Sequence, residues 1–340
     1  MGNMRISVLG TILASACVVG SCFLMQKYER IPSADIEQVT TREGNQDASK
    51  IVVNNPDEYF KYTYYEPIEY KETSAVVESD GSDITAKSAI LVDADSNEIL
   101  YEKDCNKKMA PASTTKLATA ITAVNIIDMD EKITVGDEIG MIGAGSSTAG
   151  LGKGETLTFK ELLQGLLLSS GNDAAYVIAR YAGKKIYDDD ITYDGMTFTS
   201  KEYVQRFVEE MNKNVRDMGL DNTHFMSPDG YDVTGQYTSA SDLSKIALQA
   251  INNADIKEIC GTASVSTSGH TWTTTNELMH KESSYYYEYA IGMKTGSTDA
   301  AGKCLVSAAQ KDGRTCISVV LNSTTEGRYE DSLKLLRKFE

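Results

Sequence analysis

Ser113-Thr114-Thr115-Lys116 sets a hydroxyl and an amine three residues apart at the head of an apolar run, Leu117-Ala118-Thr119-Ala120-Ile121. Pro111 and Ala112 stand just before it. The run predicts a helix over 113–127 with Ser113 in its first turn. Residues i and i+3 share a helix face, so the hydroxyl and the amine can meet there. A serine hydroxyl is a weak nucleophile until a base takes its proton. Lysine is such a base only while uncharged, a form favoured by burial or by a second cation. The N–H groups of a first helical turn have no helical partner and attract developing negative charge. Taken alone, Ser113 would more often be a helix cap than a nucleophile.

Two more short motifs follow in order. Ser170-Gly171-Asn172 interrupts a helical pattern over 159–182, between Leu162, Leu163, Leu166, Leu167 and Ala174-Ala175-Tyr176-Val177. It reads as a loop between two helices that holds two small polar side chains still. Ser170 can relay a proton to a leaving amine, and Asn172 can hydrogen-bond a substrate amide. Lys294-Thr295-Gly296 falls in an expected strand over 289–298. Lys294 supplies the second cation that tunes Lys116 and attracts an anionic substrate. Gly296 lets an extended peptide approach the strand edge and pair with it. The N–H groups of Ser297 and Ser113 would form an oxyanion hole. Singly, an edge lysine or a Ser-Gly-Asn turn is ordinary. The ordered trio is not, and it is a known signature of acyl-serine enzymes.

At these residues the sequence resembles the serine D-alanyl-D-alanine carboxypeptidases, the low-molecular-mass penicillin-binding proteins. The likeness extends through Asn222-Thr223-His224-Phe225-Met226-Ser227-Pro228-Asp229-Gly230, Ser239-Ala240-Ser241-Asp242-Leu243, Thr275-Asn276-Glu277-Leu278 and Gly292 to Gly302. It implies that Ser113 is acylated with Lys116 as its base. Ser170, Asn172, Lys294 and Thr295 would bind substrate and assist proton transfer. Arg328, in Glu326-Gly327-Arg328, matches a position whose arginine grips a substrate's terminal carboxylate through a two-pronged contact. The implied reaction is removal of the terminal D-alanine from peptidoglycan stem peptides, with β-lactams as covalent inhibitors and no cofactor. Residues 184–202, with Asp188-Asp189-Asp190, look like an enlarged loop. The chain ends at Glu340 without the β-rich domain and amphipathic tail of many relatives, so that anchoring route is not expected.

Net charge is −16 over 340 residues, which argues against nucleic-acid binding while allowing a cationic cleft. Cys105, Cys260, Cys304 and Cys316 show no C-x-x-C spacing, so neither a metal site nor a disulfide framework is expected. Residues 6–25 carry no charge and are flanked by Arg5, Lys27 and Arg30. Twenty such residues can span a bilayer. A cleaved signal peptide or a lipoprotein site at Val19-Gly20-Ser21-Cys22 are the alternatives. An uncleaved anchor is favoured, and all three put the rest outside the cytoplasm. Residues 31–84 are polar and acidic and read as an extracytoplasmic linker. The aromatic patch Tyr59 to Tyr65 within it is expected to be disordered or to add a strand.

The expected domain therefore spans 85–340. It opens with a hairpin, Ser88 to Val92 and Glu98 to Tyr101, then turns helical, including 200–218. Strands return at 289–298, 302–310 and 314–322, before a last helix over 328–339. Strands at both ends with helices between predict an α+β fold, an antiparallel sheet flanked by helices with an all-helical subregion. The resemblance implies the β-lactamase/transpeptidase-like fold. Two rivals stand beside the carboxypeptidase reading. A β-lactamase would need a water-activating glutamate. Glu210 is expected instead on the solvated face of the helix patterned by Tyr203, Phe207, Met211 and Val215. A penicillin-binding sensor without peptide turnover would need an output module, and residues 1–5 offer none.

Overall fold

The protein is described here as a computed structural model covering residues 65–78, 84–267 and 269–339. The expected membrane segment and most of the expected linker lie outside these residues. The chain forms β1 (Lys71–Glu78), β2 (Ser88–Asp93) and β3 (Glu98–Lys103). A 3-10 turn, Ala112–Thr114, then feeds α1 (Thr115–Ala123). Next come β4 (Lys132–Thr134), β5 (Thr156–Thr158), α2 (Phe159–Leu167), α3 (Asn172–Asp188), α4 (Ser200–Asp217), α5 (Ala240–Asn252) and α6 (Ala254–Cys260). The chain finishes with β6 (Ser264–Ser266), β7 (Thr271–Thr273), β8 (Ala290–Thr298), β9 (Gly302–Lys311), β10 (Arg314–Ser323) and α7 (Gly327–Arg337).

The main sheet has the order β1-β3-β2-β10-β9-β8. Antiparallel pairing of β2 with β10, Val92 opposite Ile317, joins the first hairpin to the last strands. All six residues of β2 are buried because both sheet faces are covered. Ile90 and Val92 point into the core under the helical region, and Ala89 and Leu91 into the core under α7. The same period-two split runs through β9 and β10. Helices, sheet and α7 thus make three layers, the α+β architecture expected from the strand-helix-strand order. All nine residues of α1 are buried, so this helix runs through the interior. Capping boxes at Thr158–Glu161 and Thr199–Glu202 start α2 and α4.

Four details differ from expectation. The sheet is not wholly antiparallel, because β1 pairs parallel with β3. The packed structure also begins before residue 85. Tyr65 is buried, and its hydroxyl donates to the Ile121 carbonyl at 2.6 Å. Burial pushes the Tyr65 phenol up to about 12. Glu210 is buried rather than solvated, 3.7 Å from Arg206 at the edge of the same helix. Loss of hydration raises its carboxyl pKa.

The enlarged loop is shorter than 184–202, because α3 continues to Asp188. Its closure is aromatic: Tyr187 stacks on Phe198 with centroids 4.1 Å apart, and Tyr193 and Tyr203 meet them edge-on. Cys304 lies opposite Gly296 and Cys316 opposite Ala309, so the two thiols are not partners; all four described cysteines are free and buried.

α7 is fixed by one buried carboxylate. Asp331 accepts from the Thr85 and Ala86 backbone N–H groups and from the Thr85 and Ser323 hydroxyls. Removing it leaves buried donors without partners, at a cost of about 3 kcal/mol. Asp331→Ala is expected to lower unfolding free energy by roughly that amount in urea titrations, and Asp331→Asn by less.

Candidate active site

The site begins where the chain enters α1. Ala112 holds left-handed backbone, φ 49°, and hands the chain into the 3-10 turn that carries Ser113. A non-glycine residue there is strained and persists only if its surroundings enforce it. Two glycines do so. A Cβ at Gly230 would come within 1.9 Å of the Ala112 carbonyl oxygen. A Cβ at Gly296 would meet the Pro111 carbonyl oxygen and Ala112 Cβ at 3.1 Å. Gly296 therefore admits the nucleophile's own turn as well as leaving the strand edge open.

One helical turn later the Lys116 side chain is fully buried. Its Nζ lies 2.8 Å from Ser113 Oγ, 2.7 Å from Asn172 Oδ1 and 2.8 Å from the Asp229 carbonyl oxygen. Burial lowers its pKa to about 8, against the opposing pull of Asp229 and Asp173. Two of its three partners are carbonyl oxygens, which only accept. A neutral amine must give its two N–H bonds to those oxygens. Its lone pair is then left for the Ser113 hydroxyl, the one partner able to donate. In its neutral form Lys116 is thus placed to accept the Ser113 proton.

Asn172 is the first residue of α3, and its amide is oriented from both sides. Its Nδ2 donates to Ser146 Oγ at 2.8 Å, which leaves Oδ1 for Lys116. The following residue, Asp173, accepts from the N–H groups of Ala149, Leu151 and Ala174, tying the 146–151 loop to the helix start. Ser170 is buried, with φ 59°, the second strained residue beside the site.

Lys294 is also fully buried, and its Nζ donates to the Thr295 carbonyl at 3.0 Å. Burial holds its pKa well below the usual lysine range, and the nearby charges of Lys116 and Arg328 press it lower. The three basic residues named by the sequence therefore converge electrostatically. Arg328 stacks on the Tyr329 ring at 4.6 Å, and its buried Nε has no hydrogen-bond partner among the described residues. The Thr295 hydroxyl is bonded to that of Thr275. The Ser297 hydroxyl accepts from Lys303 at 2.6 Å. β8 lies at the sheet's end, so one of its edges is free of strand pairing among the described residues.

Sequence reasoning gave no role to Asp173, Ser146, Asp229 or Gly230. Their contribution runs through backbone contacts between segments far apart in the chain. The only local hint was the turn signal Ser227-Pro228-Asp229-Gly230. Glu210 feels Arg206, Lys213, Asp217 and Arg216, none of them a site residue.

A three-layer α+β fold with a serine 2.8 Å from a buried lysine, an Asn-led helix and a lysine-bearing edge strand carries the site pattern of acyl-serine enzymes. The family model described as D-alanyl-D-alanine carboxypeptidase matches residues 72–186 and 202–325, and the chain belongs to that family. The gap in the match coincides with the aromatic-packed loop.

The sequence is 31% identical over 250 residues to D-alanyl-D-alanine carboxypeptidase DacF of Bacillus subtilis, covering 71% of this chain and 58% of that protein. It is 34% identical over 253 residues to a Streptomyces D-alanyl-D-alanine carboxypeptidase, covering 70% and 81%. The chain thus spans less than two thirds of the first of these relatives and more of the second. A crystal structure titled as a Streptomyces DD-transpeptidase superposes with a TM-score of 0.67 at 31% identity, covering 75% of this chain and 96% of that one. A Listeria monocytogenes penicillin-binding protein solved in its ampicillin-bound form gives 0.60 at 26% identity, covering 75% and 96%.

The depressed Lys116 pKa sets a pH dependence. Only the neutral amine can take the Ser113 proton, and its fraction grows as pH rises toward about 8. Acylation by a fluorescent penicillin is expected to speed up roughly tenfold per pH unit below that point and to level off above it, in stopped-flow measurements.

Proposed function

We propose that the protein is a serine D-alanyl-D-alanine carboxypeptidase acting on peptidoglycan stem peptides. The observation that carries this reading is the Ser113–Lys116–Asn172 cluster, with Lys116 Nζ 2.8 Å from the Ser113 hydroxyl and 2.7 Å from Asn172 Oδ1. The peptide lies extended along the free edge of β8, its terminal carboxylate drawn toward Lys294, Thr295 and Arg328. Lys116 takes the Ser113 proton as Oγ bonds to the carbonyl carbon between the two D-alanines. The N–H groups of Ser113 and Ser297 hold the resulting oxyanion. Ser170 relays to the departing amine the proton that Lys116 took, so terminal D-alanine leaves and Lys116 is neutral again. Water, deprotonated by Lys116, then cleaves the ester and restores the serine.

The carboxylate also explains why a buried Lys294 is tolerable. A group forced toward neutrality by burial and by Lys116 regains its charge when an anion arrives beside it. β-Lactams enter the same cavity and acylate Ser113, a reading supported by the ampicillin-bound relative. The relative titled a DD-transpeptidase marks the second reading, in which an amine rather than water accepts the acyl group.

Residues 6–25 hold the domain at the outer face of the cell membrane in this proposal. Their length, their lack of charge and the flanking Arg5, Lys27 and Arg30 support it. Among the described residues no helix is long and apolar enough to cross a membrane, and 6–25 fall outside them. Cell fractionation with and without those residues tests the anchor.

The enzymatic proposal is tested by incubating the protein with a stem pentapeptide and weighing the products, with and without an added amine acceptor. Loss of one D-alanine is expected. Ser113→Ala is expected to abolish both that release and fluorescent-penicillin labelling; release retained by Ser113→Ala would falsify the assignment.

A further inference from the structure

Just before β8 the chain reads Tyr285-Tyr286-Tyr287-Glu288-Tyr289, an aromatic run that none of the three catalytic motifs uses. Short turns fix its backbone. The Tyr286 N–H donates to the Ser283 carbonyl at 3.1 Å, the Tyr287 N–H to that of Leu278 at 3.1 Å and the Ala290 N–H to that of Tyr287 at 2.9 Å. The Tyr289 carbonyl accepts from the Gln310 N–H of β9 at 2.9 Å. The side chains are therefore presented from a rigid frame.

Three of the four rings are engaged within the protein. Tyr285 stacks on Tyr329, with centroids 5.0 Å apart. Tyr287 is buried and meets Tyr289 edge-on at 5.5 Å. Lys311 Nζ sits 4.7 Å from the centre of the Tyr289 ring. Tyr286 differs: it is 37% exposed, and neither a ring nor a cation lies against it among the described residues. It borders a cleft of about 520 Å³ lined by Tyr286, Tyr287, Glu288, Tyr289 and, from the last turn of α7, Arg337. That volume lies within the range of about 300–1,000 Å³ usual for small-ligand sites. Glu288 and Arg337 share the cleft, yet among the described residues neither has an ion pair or a side-chain hydrogen bond.

This set of groups selects a ligand. A carboxylate only accepts hydrogen bonds, and a guanidinium only donates them. An occupant that serves both needs donors and acceptors along one rim and an apolar face for the Tyr286 ring. An N-acetylated pyranose has that form. Its C–H face covers the ring, its hydroxyls donate to Glu288, and its acetamido carbonyl accepts from Arg337. A polyanion would suit Arg337 but would face Glu288 and a net charge of −16. A wholly apolar occupant would strip water from two charges and return nothing to either.

The cleft is separate from the catalytic cavity. It lies at the Ala290 end of β8, four residues before Lys294, or about 13 Å along a strand. In the proposed pose the stem peptide runs from Lys294 toward Thr298, so its own sugar lies off the opposite end of the strand. A sugar in the cleft belongs to another strand of the polymer.

Resting on the carboxypeptidase reading for the choice of polymer, we propose that Tyr286, Glu288 and Arg337 form a second binding site, for the N-acetylated amino-sugar backbone of a neighbouring peptidoglycan strand. Such a site holds the enzyme on the wall while Ser113 works on stem peptides nearby. It raises their effective concentration without touching the reacting atoms.

The test uses the full chain and three soluble probes. They are a β-1,4-linked hexamer of N-acetylglucosamine, a poly(glycerol phosphate) of similar length and a stem pentapeptide. Binding of the first two is followed by calorimetry, and D-alanine release from the third by kcat/KM. The hexamer is expected to bind equally well before and after Ser113 is acylated by a penicillin. Tyr286→Ala and Glu288→Gln are each expected to weaken it by at least about fivefold. Release from the pentapeptide is expected to stay within twofold in both variants. On insoluble peptidoglycan, Tyr286→Ala is expected to raise KM severalfold with kcat unchanged.

No hexamer binding overturns the site. Binding abolished by acylation puts the sugar in the catalytic cavity and overturns it too. So does binding unaltered by both substitutions. Tighter binding of the polyol phosphate assigns the cleft to an anionic polymer and overturns the amino-sugar assignment. No release from the pentapeptide, with hexamer binding intact, overturns the carboxypeptidase reading and leaves the sugar site standing.

Discussion

A fully buried amine governs this structure. Lys116 is enclosed by the protein, and everything within hydrogen-bond reach is either a carbonyl oxygen or the serine it serves. Taking an ammonium out of water is expensive, so the enclosure itself keeps the side chain near neutrality. The acidic residues Asp173 and Asp229 limit that effect, which leaves the group titrating close to physiological pH. Asp173 and Asp229 also build the enclosure. The first ties the 146–151 loop to α3, and the second belongs to the 227–230 turn and turns its carbonyl to the amine.

The rest of the fold makes such an enclosure possible. α1 can carry its polar residues through the interior because α2, α3, α4, α5 and the edge strand β8 surround it. The sheet is held as one layer by the pairing of β2 with β10, elements more than two hundred residues apart. That pairing brings β8 to the exposed edge and lays its Gly296 against the Ser113 turn. The site is thus assembled from a helix start, a loop between helices and a sheet edge. Three strained residues, Ala112, Ser170 and Met293, mark where these pieces are forced together.

Much of this was legible from local pattern. The strands expected at 88–92, 302–310 and 314–322 fall on β2, β9 and β10. The break at Ser170 was visible because polar residues interrupt two leucine- and alanine-rich helical runs. Glu210 was misread for a physical reason. A charged residue beside an apolar helical stripe normally faces water, and only the packing of α4 shows this one to be covered. β1 was missed because parallel pairing at a sheet edge leaves no hairpin signal in sequence.

The sequence by itself determined the reacting groups and their order. Ser113 and Lys116 share a helix face by spacing alone, and the Ser-Gly-Asn and Lys-Thr-Gly segments carry recognisable local chemistry. Tertiary structure decided that the lysine is a base. Its neutrality depends on burial, on the direction of the Asn172 amide and on a backbone carbonyl at residue 229. None of these is a property of a short segment, because desolvation is produced only when distant parts of the chain close around the group.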